Sequence, residues 1–213
     1  MISQFVDEDV FCYVEDFSSE KEKFKDLVSY AAENRVPIVS QDVARFLEFL
    51  LKTIKPKNIL EIGSAIGYSS LLMQKASGAN IFTIEKDEDT FKILENNLKK
   101  YDEDNKIKAV NDDAISVLKK MDKEEKFDFC FIDANKSQYE EYLNLVYFLT
   151  SENAIIVIDN ILFRGYVAKE EDNKRYRTII KNLKKFIEDV KNDKRFTASL
   201  LTVHDGLLLL RKE

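Results

Sequence analysis

The spacing of hydrophobic positions changes along the chain. Residues 20–34 place Phe24, Leu27, Val28 and Ala31 at helical spacing, and residues 41–54 repeat the pattern with Val43, Phe46, Leu47, Leu50 and Leu51. Pro37 separates these two helices. From residue 58 the pattern alternates. Short β-prone runs at 58–62, 80–85, 107–111, 127–133 and 154–159 enclose helical stretches at 69–76, 87–101, 114–121 and 139–149. Such alternation predicts a parallel sheet with helices on both faces. The runs 127–132 and 154–158 are almost continuously apolar, as strands covered on both faces should be. A long helix over 172–193 follows, then two strands, 196–203 and 207–211, joined by the hairpin signal Asp205-Gly206. The sheet is therefore expected to end in an antiparallel pair.

Composition narrows the class. The 213 residues are 45% hydrophobic and 34% charged, the balance of one folded domain. No apolar run approaches the ~18 residues of a membrane span. The first residues lack the basic-then-apolar order of a secretory leader. The two cysteines are Cys12 and Cys130, and Cys130 lies within an apolar run; a disulfide framework is not expected, and the cytoplasm is the expected compartment. The single histidine, His204, excludes a His-based zinc site and reads as a structural hairpin residue.

Candidate chemistry collects at the ends of the predicted strands, where ligands bind on such sheets. The first strand runs into Gly63-Ser64-Ala65-Ile66-Gly67-Tyr68-Ser69-Ser70. Gly63 and Gly67 allow close backbone approach to a ligand, and Ser69 or Ser70 is a candidate helix cap. The spacing is neither the dinucleotide G-x-G-x-x-G nor a P-loop, which disfavours a phosphate ligand. Glu85 ends the second strand, where a carboxylate can accept from both hydroxyls of a ribose; a solvated surface acid is the plainer reading. After the third, Asp113 can accept from an exocyclic amino group or simply cap the next helix. Together the three favour a nucleoside site. The fourth and fifth strands end in Asp133 and in Asp159-Asn160. Three oxygen donors at adjacent strand ends suit a hard cation, Mg²⁺, Mn²⁺ or Ca²⁺.

The set Glu61-Ile-Gly-Ser-Ala-Ile-Gly-Tyr-Ser69, Glu85, Asp113-Ala114, Asp133-Ala-Asn-Lys136 and Asp159-Asn-Ile-Leu-Phe-Arg-Gly165 resembles the class I, cation-dependent, S-adenosylmethionine (SAM)-dependent O-methyltransferases. Catechol and caffeoyl-CoA methyltransferases belong to that group. Tyr30-Ala-Ala-Glu-Asn-Arg-Val-Pro-Ile38, Ile132-Asp-Ala-Asn-Lys-Ser-Gln-Tyr139 and the same segment 159–165 look most like the bacterial tRNA 5-hydroxyuridine methyltransferases. The resemblance implies a Rossmann-like, seven-stranded, mostly parallel sheet with an antiparallel last strand. It implies one domain over 1–213, with residues 1–55 as a helical cap and homodimer segment. It implies SAM contacts from Val39, Glu61, Gly63, Ser64, Ser69, Glu85, Asp113, Ala114 and Asp133, metal ligation by Asp133, Asp159 and Asn160, and Lys136 as general base. A non-catalytic nucleoside-binding module would need neither Lys136 nor the three donors.

The acceptor is either a small catechol or 5-hydroxyuridine at the tRNA wobble position; neither DNA nor a membrane is an expected partner. The net charge of −6 argues against RNA, but it is uneven. Residues 164–185 hold eight basic residues against Glu170, Glu171 and Asp172, a local +5 that leaves −11 for the remainder. Arg164, Lys169, Arg175 and Arg177 are the candidate phosphate contacts, and Phe163 and Tyr166 the candidate stacking faces for a base; a solvated helix and core packing are the plainer readings. The basic run follows Asp159-Asn160 directly, which favours tRNA as the expected substrate.

Overall fold

The computed structural model describes residues 8–19, 24–124, 126–169 and 173–213. The starts of the first and last long predicted helices, the acids Glu170 to Asp172, and Phe5 and Asp7 of the acidic, aromatic N-terminus lie outside these.

Seven strands form one sheet: β1 (Asn58–Ile62), β2 (Asn80–Glu85), β3 (Ile107–Asn111), β4 (Phe127–Ile132), β5 (Thr150–Ile158), β6 (Phe196–Leu201) and β7 (Leu207–Lys212). Their order is β3-β2-β1-β4-β5-β7-β6. The first five are parallel, and β7 runs antiparallel to both β5 and β6. The expected antiparallel pair is present, with the later strand of the hairpin as the inner one. Pairing Ile158 with Leu208 carries the hairpin turn to the strand ends, next to Asp159.

Helices α2 (Lys25–Asn34), α3 (Gln41–Ile54), α4 (Tyr68–Ser77) and α5 (Glu88–Tyr101) carry the apolar stripes of one layer. Leu27, Leu47, Leu51 and Leu71 pack there against Ile59, Ile81 and Phe129. On the opposite face α6 (Ala114–Lys120), α7 (Tyr139–Leu149) and α8 (Arg177–Lys191) bring Leu118, Val146, Leu183 and Phe186 onto Leu60, Cys130 and Ile156. Cys130 is fully buried, and that burial pushes its thiol pKa up, so it behaves as a small apolar residue. Asp87 and Asp113 cap α5 and α6, accepting from Thr90 N at 2.8 Å and Ser116 N at 3.1 Å.

Several boundaries depart from the sequence pattern, among them the last long helix, which begins at Arg177 rather than 172. Helix α1 (Glu8–Ser18) was not legible as a helix; it lies beside α3 and leaves Tyr13 and Phe17 76% and 80% exposed. Strand β5 begins at Thr150 rather than 154, because Ser151 to Asn153 are polar and reach past a register shift at Phe127/Phe129. Helix α4 begins at Tyr68 behind Gly67, so neither Ser69 nor Ser70 is its cap.

Candidate active site

The carboxyl ends of β1 to β5 open onto a cavity of about 590 Å³. Val39, Gly63, Glu85, Asp113, Ala114, Asp133, Lys136, Asp159 and Asn160 all line it, so nine of the expected site residues meet in one space. Glu61, Ser64 and Ser69 do not line it. The Glu61 carboxylate is buried beneath the β1–α4 turn, where it accepts from the hydroxyls of Ser69, Ser70 and Thr83. Burial, partly offset by these donors, raises its pKa to about 7. Its place is the foundation of the turn, not its lining.

Gly63 has φ 89°, and a Cβ there would overlap the Asp133 carbonyl oxygen. Gly67, at φ 88°, faces the Leu94 side chain. The glycines therefore let the turn fit against β4 and α5, and Gly63 also lines the cavity. Ser64 presents a buried hydroxyl with no partner among the described residues, an orphan that a polar ligand would satisfy.

At one end of the cavity the acids are already engaged. Glu85 accepts from Ala65 N at 2.9 Å and from Asp87 N at 2.8 Å. Asp113 caps α6 and also meets Lys86 Nζ at 3.1 Å, contacts that hold its pKa below the usual carboxylate range. Both Glu85 oxygens and Asp113 Oδ2 retain a second lone pair for a ligand donor, whereas Asp113 Oδ1 already accepts from Ser116 N and Oγ.

At the other end, burial and the neighbouring Asp133 push Asp159 up to about 7, and burial likewise raises Asp133. The Asn160 backbone N and side-chain Nδ2 donate to Asp159 Oδ1 at 2.6 and 3.1 Å, and Lys136 Nζ lies 3.4 Å from Asn160 Oδ1. Tyr139 Oη donates to the Asp159 carbonyl at 2.8 Å and fixes the strand end from below. Among the described residues no three His, Cys, Asp or Glu side chains gather around one point; the grouping here is two carboxylates and one amide. Two buried, mutually repelling carboxylates beside an amide oxygen are a donor set that fits a hard cation.

A second cleft of about 440 Å³ adjoins this end, lined by Asn160, Arg164, Gly165, His204 and Asp205. Arg164 therefore borders the site, whereas Lys169, Arg175 and Arg177 line neither space. Phe163, Tyr166 and Tyr176 pack against one another with ring centroids 5.3–5.9 Å apart, and Phe163 also rests on the core. The cations of Lys169 and Arg175 sit over the rings of Tyr166 and Tyr176.

Sequence reasoning missed Ser40, Lys86, Gln138, Tyr142 and His204, which also line the main cavity. Lys86 was within reach, since it follows Glu85. His204 was not, because its approach depends on β7 lying against β5.

The whole arrangement, a seven-stranded sheet with a nucleoside-sized cavity and an oxygen-rich pair of strand ends, is that of a methyl-transfer enzyme. The chain belongs to the O-methyltransferase family, whose pattern matches residues 14–213. It is 34% identical over 185 residues to a caffeoyl-CoA O-methyltransferase of Populus kitakamiensis, covering 82% of this chain and 77% of that protein. Among solved structures, the SAH-bound methyltransferase PaMTH1 of Podospora anserina superposes with a TM-score of 0.83 at 28% identity, covering 96% of this chain and 94% of the other. An O-methyltransferase of Bacillus cereus in complex with SAH gives 0.83 at 26% identity, with 96% and 97% covered. No helix among the described residues is long and apolar enough to cross a membrane.

Proposed function

We propose that this chain transfers a methyl group from SAM to a hydroxyl of a small acceptor carrying two neighbouring oxygens, a catechol or a related ring, with the help of a divalent cation. One observation carries the reading: Asp133, Asp159, Asn160 and Lys136 converge at one end of the cavity whose other end holds Glu85 and Asp113. SAH is what remains of SAM after methyl transfer, and its presence in two similar structures supports SAM here. Glu85 is suited to the ribose hydroxyls and Asp113 to the adenine amino group. Bound SAM would supply the methyl group, and a divalent cation held by Asp133, Asp159 and Asn160 would lower the pKa of the acceptor hydroxyl. Lys136, beside Asn160, takes the proton from that hydroxyl. Holding donor and acceptor in line supplies up to about 7–11 kcal/mol of the acceleration.

The named caffeoyl-CoA relative favours a small acceptor over tRNA. One observation favours the tRNA reading instead: Arg164 borders the site and the exposed Lys169 and Arg175 follow it on the surface. Methylation of 3,4-dihydroxybenzoate that needs Mg²⁺ supports the first reading, and full activity in a chelator overturns its cation. Loss of 5-methoxyuridine from the tRNA of cells lacking the gene would decide for the second. We also read α1 and α3, with Tyr13, Phe17 and Phe49 exposed, as the homodimer segment. Sedimentation equilibrium tests this, and a monomer at micromolar concentration refutes it.

A further inference from the structure

His204 and Asn160 are the two residues shared by the main cavity and the outer cleft. His204 therefore stands at the junction between the two spaces, and an acceptor seated near Asn160 and reaching into the outer cleft would pass it. Its backbone is in the left-handed region, φ 46°, a conformation that non-glycine residues adopt sparingly. Two anchors hold it there. His204 N donates to Asp42 Oδ2 at 3.0 Å, and His204 Nδ1 lies 3.9 Å from Asp42 Oδ1. Asp42 is itself buried, with Oδ1 accepting from Ser40 Oγ and from Val43 N. The next residue, Asp205, accepts from Arg164 N and Gly165 N and so ties the opposite wall of the cleft to the same hairpin. The imidazole is 38% exposed.

We propose that His204 sets the size of acceptor the site admits, its imidazole walling the junction so that single-ring vicinal diols are favoured over extended polycyclic ones. The inference rests on methyl transfer to catechol-type acceptors, as proposed above. Glycine suits the same backbone, so His204→Gly removes the wall and leaves the Asp42 hydrogen bond to the backbone in place. Asparagine also tolerates this conformation and leaves a shorter wall.

The experiment compares kcat/KM for 3,4-dihydroxybenzoate and for quercetin in wild type, His204→Asn and His204→Gly, with SAH affinity measured by calorimetry on the same samples. The expected result is a preference for the single ring that falls by about tenfold or more in His204→Gly, with His204→Asn between the two. SAH affinity should be the same in all three proteins. An unchanged ratio in His204→Gly overturns the inference while leaving the methyl-transfer reading intact. A parallel loss of both acceptors and of SAH affinity also overturns it, since that marks a purely structural residue. Wild type that binds SAH and methylates neither diol overturns the acceptor reading, and this inference with it.

Discussion

The cavity has two ends with opposite electrostatic conditions. At the ends of β1 to β3, Glu85 and Asp113 already receive donors from the turn, from a helix N-terminus and from Lys86, and Glu61 below them is enclosed by three hydroxyls. At the ends of β4 and β5, Asp133 and Asp159 are buried near each other, with pKa values pushed upward by desolvation. At the first end the carboxylates have protein donors before any ligand arrives, although the Ser64 hydroxyl has no partner among the described residues. Under the proposed function the second end would be completed by a cation, since positive charge offsets the burial that disfavours carboxylates. Positive φ at non-glycine residues occurs at both ends, at Ala65 in the first and at Asn160, Phe163, Arg164 and His204 around the second. Strain gathers where a site must hold groups in unusual positions.

Four experiments can break this contrast, in falling order of expected effect. Asp159→Ala should abolish methyl transfer yet leave SAH binding measurable by calorimetry; loss of both would mean the two ends are not separable. Lys136→Met should lower kcat by about 10²–10⁴-fold with SAH affinity retained. A variant with normal kcat would remove Lys136 from proton transfer. Glu85→Ala should weaken SAH by about 1.5–3 kcal/mol, the scale for hydrogen bonds to a charged group, and leave the acceptor KM at saturating SAM alone.

The smallest effect concerns Glu61, whose carboxyl sits at about 7 in the folded chain against an ordinary 4.5. Between those values the native state keeps a proton that the unfolded chain has lost. Its contribution therefore favours the native state at low pH and is withdrawn as pH rises through the window. Melting temperature measured from pH 5 to 8 should decline less in Glu61→Gln than in wild type. Parallel curves would show that the enclosed carboxylate does not titrate there.

Much of this was legible in sequence because each strand and its terminal acid are encoded locally. Phe127 to Ile132 followed by Asp133 identifies a buried strand and the residue at its end in one short stretch. The same local reading did not show how Glu61 is enclosed: it occupies a strand-end position, but its carboxylate accepts from Ser69, Ser70 and Thr83. Period and propensity say which face a side chain takes, not whether hydroxyls from a helix and a neighbouring strand will close over it. Helix α1 was hidden for a different reason: its large apolar residues stay exposed, so no buried stripe organises the pattern. His204 depends on strand order, and a hairpin signal does not say which of its two strands joins β5.

That strand order also constrains how the molecule is made. Strand β7 leaves the ribosome after the other six, yet it occupies an interior position between β5 and β6. Until it arrives, the edge of β5 is unpaired and the hairpin bearing His204 and Asp205 has nowhere to dock. Nascent chains halted before residue 207 should thus be a target for chaperones, and the acceptor side should be the last part of the enzyme to mature.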